Sequence, residues 1–243
     1  MRERYLDPHD AYNPDNVIVS PYPEELVRRS IDFPWDLSGL RILDIGSGAS
    51  DTVKFLRKKG AVVFGVDMGY SDIRALAEKA DYFSRDPWYW VRGGRVGDKI
   101  FPLNEPFDER ATNIESFLRE QRTLIDFLRD VRDPENTSYV AGDAQLLPFA
   151  DESIDFAFSH YALSIFQLGD LDVFKRSVSE TLRVLRPGGE LQLTDWPGHI
   201  LKLWTKKQRK NSRAFLRSLH RQRIPFSVEH THRHYVRLRI RKP

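Results

Sequence analysis

Residues 41–50 read RILDIGSGAS, and this stretch is the best single guide to how the chain folds. Its first five residues have the short apolar pattern of a buried strand, and a glycine loop follows them. The next segment, Ser50–Lys59 (SDTVKFLRKK), has the apolar spacing of a helix and ends before Gly60. Glycines in such a turn allow close approach of a ligand, and ligands bind at the carboxyl ends of parallel strands. The sequence therefore predicts a ligand-binding turn here.

Strand and helix patterns alternate beyond this turn. Further strands are predicted at Ala61–Val66, Ser138–Ala141, Ile154–Ser159 and Glu190–Thr194, and helices at Ser71–Ala80 and Leu171–Leu185. An antiparallel pair is predicted at Phe226–His230 and Tyr235–Ile240. Strands separated by helices are typical of an open α/β sheet. We therefore predict a doubly wound, mostly parallel, seven-stranded sheet with a terminal antiparallel strand pair.

The chain, residues 1–243, is predicted to be a single domain with three additions to its sheet. Residues 1–37 form an N-terminal extension rich in Pro and Tyr. Residues 81–136 are long for one connection in a βα unit, and Thr112–Arg132 has the pattern of an amphipathic helix. We interpret this segment as a partly helical insert after the second strand's helix. Residues 197–243 form a basic helix and strand pair.

The composition excludes several classes of protein. Hydrophobic residues make up 40% of the chain and aromatic residues 12%, which excludes a mainly disordered chain. The absence of cysteine excludes disulfides, zinc–thiolate sites, iron–sulfur clusters and cysteine nucleophiles. Residues 1–10 are charged with no apolar segment behind them, and no apolar run approaches the about 20 residues of a membrane span. A cytoplasmic protein without a membrane span is expected, and the oligomeric state is not indicated.

Charge is distributed unevenly. The net charge is +3, but residues 197–243 carry +13 and residues 1–196 carry −10. This separation indicates a face that meets an anion: RNA, a phosphorylated or carboxylated acceptor, or an acidic protein or lipid surface. A solvated helix face that balances the acidic remainder is an equally good interpretation.

An acidic residue follows the second predicted strand. Asp67 lies 21 residues after Gly46, where a carboxylate can accept hydrogen bonds from the hydroxyls of a ribose. The spacing indicates a nucleoside without identifying it. The dinucleotide fingerprint requires a third glycine where this chain has Asp51. An acid at the helix start repels a pyrophosphate, so a nicotinamide dehydrogenase is disfavoured and a positively charged ligand is favoured.

Five motifs in order make residues 41–194 resemble the class I S-adenosylmethionine-dependent methyltransferases, in particular those of type 11, which have a Rossmann-like fold. The matching segments are Leu43–Gly48 (LDIGSG), Val66–Met68 (VDM), Gly142–Ala144 (GDA) with Leu147–Phe149 (LPF), Ser153–Phe156 (SIDF) and Leu182–Gly189 (LRVLRPGG). The resemblance implies an enzyme whose cofactor is S-adenosyl-L-methionine. The insert at residues 81–136 has no counterpart in the minimal family fold, and we expect it to cover the acceptor site.

The resemblance also implies which residues bind the methionine part of the cofactor. Asp44, Gly46 and Gly48 would hold it, with Ser47 in the same loop. Ser159, at the end of the fourth strand, would lie near the methionine amino group and the transferable methyl.

The nucleoside part of the cofactor would be bound by residues after the second and third strands. Asp67 would bind the ribose hydroxyls, and Met68 would pack on the adenine. Asp143 would accept a hydrogen bond from the adenine amine, with Ala144 beside it.

His160 is the candidate general base, because it follows the fourth strand at the expected methyl end. It could instead position the loop or bind the acceptor. Many family members have a histidine at a position where this chain has Ser164–Ile165, which weakens an inherited base there. The segment Ser159–Ala162 (SHYA) lacks an N/D-P-P-Y motif, which argues against methylation of exocyclic amines. No metal is expected, although His230, His232 and His234 alternate.

The predicted function is methyl transfer to an O or N atom of a small, undetermined acceptor. Trp88–Trp90 could form an aromatic wall for a flat acceptor, or the core of the insert. An RNA methyltransferase that uses the basic C-terminal segment is the alternative within the class. A non-catalytic, cofactor-binding regulatory protein is the alternative outside it.

Overall fold

The seven strands of the main sheet are taken from a computed structural model, which describes residues 19–20, 30–72, 95–96, 99–100, 126–131, 133, 136–160, 162–164, 168–194, 196, 205–230 and 236–243. They are β1 (Arg41–Ile45), β2 (Val62–Asp67), β3 (Tyr139–Ala141), β4 (Ile154–Ser159), β5 (Leu185–Leu193), β6 (Phe226–His230) and β7 (Val236–Arg241).

The strand order across the sheet is β6-β7-β5-β4-β1-β2-β3. Strands β1 to β5 are mutually parallel, whereas β7 is antiparallel to both β5 and β6. The predicted seven-stranded, mostly parallel sheet with a terminal antiparallel pair is thus confirmed. Because the strand order reverses beside β1, the carboxyl ends of β1 and β4 form the crevice where such sheets bind ligands.

Among the described residues, three helices flank the strands, and shorter elements lie around them. The helices are α1 (Thr52–Lys58), α2 (Leu171–Val184) and α3 (Lys206–Arg221). The shorter elements are a 3-10 helix at Met68–Asp72, helical residues 126–131, and two strand pairs, Val19–Ser20 with Ala49–Ser50 and Arg95–Val96 with Lys99–Ile100. In the described ranges, none of the helices has the length and apolar composition that a membrane span requires.

The core consists of two apolar clusters that share the strands. Leu43 and Ile45 of β1 belong to the larger cluster, with α2, α3 and β7. Ile42 of β1 belongs to the smaller cluster, with α1 and the N-terminal residues Ile31 and Leu37. Successive residues of β1 point to opposite clusters because side chains alternate along a strand. A strand buried on both faces explains the nearly continuous apolar run in its sequence.

The boundary between α2 and β5 differs from the prediction. The helix ends at Val184 and β5 begins at Leu185, so the segment RPGG belongs to the strand and does not follow the helix as a turn. Leu185 has the extended φ and ψ angles of −68° and 139° and pairs with Ile154. The next pair is Phe156 with Glu190, so the register shifts and residues 186–189 form a bulge opposite Asp155. Gly188 has a φ of +77° in this bulge, which a glycine adopts readily.

Several predictions fall outside the described residues. They are most of the N-terminal extension, most of the helix at Ser71–Ala80, most of the insert at residues 81–136 with Trp88–Trp90, and His232 and His234.

Candidate cofactor and active site

The glycine loop is held against the end of β2. The backbone amides of Gly46 and Ser47 donate to the carbonyl oxygen of Val66 at 2.8 and 3.3 Å. The amide of Gly48 donates to Asp67 Oδ2 at 3.0 Å. The glycine loop follows β1 and Asp67 ends β2. In the structure, hydrogen bonds join the loop and Asp67 directly.

Gly46 adopts a conformation that requires glycine. Its φ is +72°, and a Cβ built on it would lie 2.3 Å from Cβ of Ala162. This contact brings the segment after β4 directly against the glycine turn. Ala162 lies two residues after His160, so the candidate base and the cofactor loop belong to the same edge of the sheet.

Tyr70 forms hydrogen bonds with the glycine loop, a role that the sequence analysis did not identify. Its buried hydroxyl donates to the carbonyl oxygen of Gly48 at 2.5 Å and lies 2.6 Å from Oγ of Ser47. Its ring packs on Phe127 and Tyr139, with centroids 5.6 and 5.8 Å away. The helical residues 126–131 are thereby connected to the loop. The hydroxyl of Ser47, a predicted cofactor-binding residue, thus has a hydrogen-bond partner within the protein, the hydroxyl of Tyr70.

Two carboxylates lie next to the loop, Asp44, which is buried, and Asp67, which is half-buried. Asp44 is 3% exposed, and its pKa is raised well above the ordinary value, first by burial and then by the negative charge of Asp67. Burial also raises the pKa of Asp67, although hydrogen bonds from the amides of Gly69 and Gly48 oppose this. Neither acid forms an ion pair with a described residue. A cationic ligand would relieve the repulsion between them, so the site is suited to positive charge.

The segment after β3 joins the same site. The amide of Gly142 donates to the carbonyl oxygen of Asp67 at 3.2 Å, which places Asp143 beside the end of β2. Asp143 Oδ1 accepts from the amide of Gln145 at 2.8 Å, and Ala144 is buried. Met68 is 41% exposed, so its side chain is available to a ligand.

His160 lies in a hydrogen-bonded cluster that the sequence did not reveal. Its Nδ1 lies 2.9 Å from Oγ1 of Thr194 and 3.3 Å from Oγ of Ser30. The buried Ser159 is engaged as well, because its Oγ accepts from the amide of Leu163 at 3.0 Å. Residues from β4, the end of β5 and the N-terminal segment therefore fix the imidazole together.

Burial lowers the pKa of His160 from 6.5 to about 3. The imidazole is therefore neutral at physiological pH, and it is a weak base because protonating it would require a buried charge. The general-base role of His160 stays a prediction.

The stability of the protein is expected to fall below pH 6.5 because of His160. The unfolded chain protonates its histidine near 6.5 and the folded state only near 3, so protons favour unfolding between these values. At pH 5 the loss relative to pH 7 is about 2 kcal/mol. Urea unfolding of wild type and His160→Gln at the two pH values measures it. An equal pH dependence in both proteins would contradict the burial of a neutral imidazole.

A cavity of about 480 Å³ lies at the opposite, amino edge of the sheet and contains none of the predicted site residues. Two of its lining arginines are paired with acids of the same cavity. Arg186 is 2.7 Å from Asp155, and Arg239 is 3.2 Å from Glu190. Both lining arginines are thus paired within the cavity, although the lining acids outnumber them. The location of the cavity does not match the ligand edge of a parallel sheet.

Comparisons with known proteins agree with this geometry. A family model described as a methyltransferase domain matches residues 119–193. The crystal structure of an S-adenosylmethionine-dependent methyltransferase from Aquifex aeolicus aligns with 98% of this chain and 100% of its own, with a TM-score of 0.50 and 14% identity. The chain has the class I methyltransferase fold. The resemblance inferred from its motifs is confirmed at this level.

Curated relatives match a shorter part of this methyltransferase fold. Malonyl-[acyl-carrier protein] O-methyltransferase of Methylococcus capsulatus is 44% identical over 69 residues, which is 28% of this chain and 23% of that protein. The biotin biosynthesis bifunctional protein BioHC of Cellvibrio japonicus is 35% identical over 85 residues, 33% of this chain and 15% of that protein. The matches thus span less than a quarter of either relative.

Proposed function

We propose that the protein transfers a methyl group from S-adenosylmethionine to a small acceptor. The observation that carries this proposal is a pair of carboxylates, the buried Asp44 and the half-buried Asp67, next to a glycine loop at the ligand edge of the sheet. The cofactor combines a ribose with a positively charged sulfonium and ammonium, which matches the need of this site for hydroxyl donors and positive charge.

Different residues of the site would bind different parts of the cofactor. Asp67 retains lone pairs for the ribose hydroxyls beyond those used by Gly48 and Gly69, since each carboxylate oxygen can accept twice. Asp143 and Met68 would hold the adenine, and the glycine loop with Asp44 and Ser159 would hold the methionine part. The cofactor supplies the chemistry, an in-line displacement in which the acceptor bonds to the methyl carbon and the electrons of the C–S bond stay on sulfur.

We further propose that the acceptor atom is an oxygen of a carboxylate. One partial relative is named as an O-methyltransferase of malonyl-[acyl-carrier protein], and a malonyl group ends in a carboxylate. A carboxylate is already deprotonated at neutral pH, so its methylation needs no general base. This suits the low pKa of His160, whose role would then be to position the loop after β4 through Thr194 and Ser30.

Turnover of His160→Gln tests this division of roles. With a carboxylate acceptor we expect the rate to stay within about tenfold of wild type, because no proton has to be removed. Conversion of the cofactor to S-adenosylhomocysteine, measured over a panel of carboxylic acids, phenols and amines, gives the rate and the acceptor class. A loss of about 10² or more at unchanged cofactor affinity would instead assign the base role to His160.

The same assay separates an enzyme from a regulatory protein that only binds the cofactor. An enzyme converts bound cofactor to S-adenosylhomocysteine in proportion to the acceptor added. Tight binding with no conversion by any acceptor in the panel would favour the regulatory protein and overturn the proposed enzymatic function.

A further inference from the structure

The basic C-terminal segment consists of two parts with different electrostatic roles. In β7 the arginines are neutralised. Arg237 is 2.8 Å from Glu229, Arg239 is 2.8 Å from the same glutamate, and Arg241 is 3.1 Å from Glu190. These cations balance acids of the sheet, so they are explained by folding.

The cations of α3 are not neutralised in this way. Five of them are exposed and form no ion pair with any residue that the structure describes; we call them the basic stripe: Lys206, Lys210, Arg213, Arg217 and Arg221. At 100° per residue they lie within a sector of roughly 80°, and at 1.5 Å per residue they extend over about 22 Å. They therefore form one straight row of positive charge.

The opposite face of α3 fixes the direction of the stripe. Phe215 and Leu219 are buried in the main core, and Thr205 and Gln208 form a capping box at the helix start. The side-chain amide of Asn211 donates from Nδ2 to the carbonyl oxygen of Leu168 at 2.9 Å. The helix cannot rotate without exposing this apolar face, so the stripe points to solvent.

The stripe works against the stability of its own helix. Like charges four residues apart, such as Arg213 and Arg217, destabilise a helix by a few tenths of a kcal/mol per pair. The first turn contains Lys206 and Lys207 and no acid, although the positive end of the helix dipole favours acids there. Folding alone therefore gives no reason for this row of cations.

The chemistry of the stripe favours a phosphate backbone as its occupant. The core of a protein interface is apolar and rich in aromatic residues, whereas none of the exposed large apolar side chains in the described part of the chain lies on α3. A membrane surface would require an apolar face free to enter the lipid, whereas that of α3 is buried. Rows of Lys and Arg that follow a single backbone are typical of proteins that bind nucleic-acid strands. We propose that the basic stripe binds the phosphate backbone of a single nucleic-acid strand.

The first half of α3, which carries the start of the stripe, is attached to the segment after β4. Asn211 contacts Leu168 and also Gly169, whose carbonyl oxygen is 3.3 Å from its Nδ2. Both residues follow β4, the strand that ends at the ligand edge. A strand bound along the stripe would thus pass the rim of this edge. The proposal does not depend on methyl transfer, and its test measures binding alone.

The test is the binding of a fluorescently labelled 20-residue oligouridylate, with the matching deoxythymidine oligomer as a second arm, to the full chain. The stripe variant is Lys210→Gln/Arg213→Gln/Arg217→Gln, in which glutamine keeps the helix propensity. Three cations outside the stripe give the charge-matched control, Lys58→Gln/Lys59→Gln/Lys175→Gln. At 50 mM salt we expect the stripe variant to bind about tenfold or more weakly, with a log–log salt slope reduced by about 2. The control should bind like wild type.

Three outcomes would overturn the proposal. The first is no binding of either oligomer by wild type at 50 mM salt, and the second is an equal loss of affinity in the stripe variant and the control. The third is displacement of the oligouridylate by poly-glutamate or by phosphatidylserine vesicles at equal charge concentration, which would assign the stripe to an acidic protein or a lipid surface. Cooperative unfolding with a midpoint no lower than that of wild type shows that the variants are folded.

Discussion

Replacing Asp67 with alanine is expected to weaken the binding of S-adenosylhomocysteine by about 1.5–3 kcal/mol, or roughly 10- to 150-fold in Kd. The substitution removes a charged acceptor for the ribose hydroxyls. It also releases the amides of Gly48 and Gly69, which donate to the two carboxylate oxygens at 3.0 and 2.8 Å. The glycine loop would then lose one of the contacts that fix its shape. Isothermal titration calorimetry measures the effect.

Two further variants make this measurement specific. Asp143→Ala should weaken binding as well, because the acid after β3 lies beside the end of β2. Asp172→Ala, which removes a carboxylate that is 81% exposed on α2, should leave the affinity unchanged. Wild-type affinity in both Asp67→Ala and Asp143→Ala would show that the nucleoside site has been assigned to the wrong residues.

Replacing Gly46 with alanine is expected to destabilise the protein by about 2–5 kcal/mol and to abolish measurable cofactor binding. Holding alanine at the left-handed φ of +72° contributes about 1–2 kcal/mol of this. The rest comes from the new Cβ, which would lie 2.3 Å from Cβ of Ala162 and must push the segment after β4 away. Urea unfolding and calorimetry with S-adenosylhomocysteine give the two quantities.

Gly39→Ala is the matched control for this substitution. Gly39 has nearly the same φ, +73°, but no atom lies within 4 Å of the position that its Cβ would take. It should therefore show the backbone strain alone, about 1–2 kcal/mol, with normal cofactor binding. If both alanines destabilised the protein equally, the close packing of the glycine turn against Ala162 would be refuted.

The sheet and the ligand edge could be predicted because their signals are local in the sequence. A five-residue apolar strand, two glycines and an acid at the end of the next strand are each visible in a short window, and their order defines the edge. The contact partners of these residues are not visible in this way. Tyr70 acts on the glycine loop through a hydroxyl delivered by a 3-10 turn, and Thr194 and Ser30 reach His160 across 34 and 130 residues of sequence.

The predictions at α2 and α3 show what tertiary structure adds to a correct pattern. The end of α2 was predicted to within one residue, but β5 begins at Leu185 and was predicted to begin at Glu190. The pairing of Leu185 with Ile154 is a property of the assembled sheet and is not visible in a short window of sequence. The net charge of the C-terminal segment was evident, but its division into paired cations of β7 and unpaired cations of α3 required the positions of Glu190 and Glu229. A charge count gives the sum, and only the fold shows which charges are already balanced.

The order of the last two strands has a consequence for how a nascent chain matures. β7 follows β6 in sequence but lies between β6 and β5. Until β7 has emerged from the ribosome, β5 has an open edge and β6 has no place to dock. The N-terminal segment gains contacts from the same strand, because the carbonyl oxygen of Ser30 accepts from Arg237, and Asp32 pairs with Arg239. These add to its contacts with His160 and with Gln192 of β5. A single strand therefore closes the edge of β5, provides the place for β6 and adds to the attachment of Ser30 and Asp32. Unpaired strand edges make incomplete chains prone to aggregation, so the chain is most vulnerable before β7 is in place.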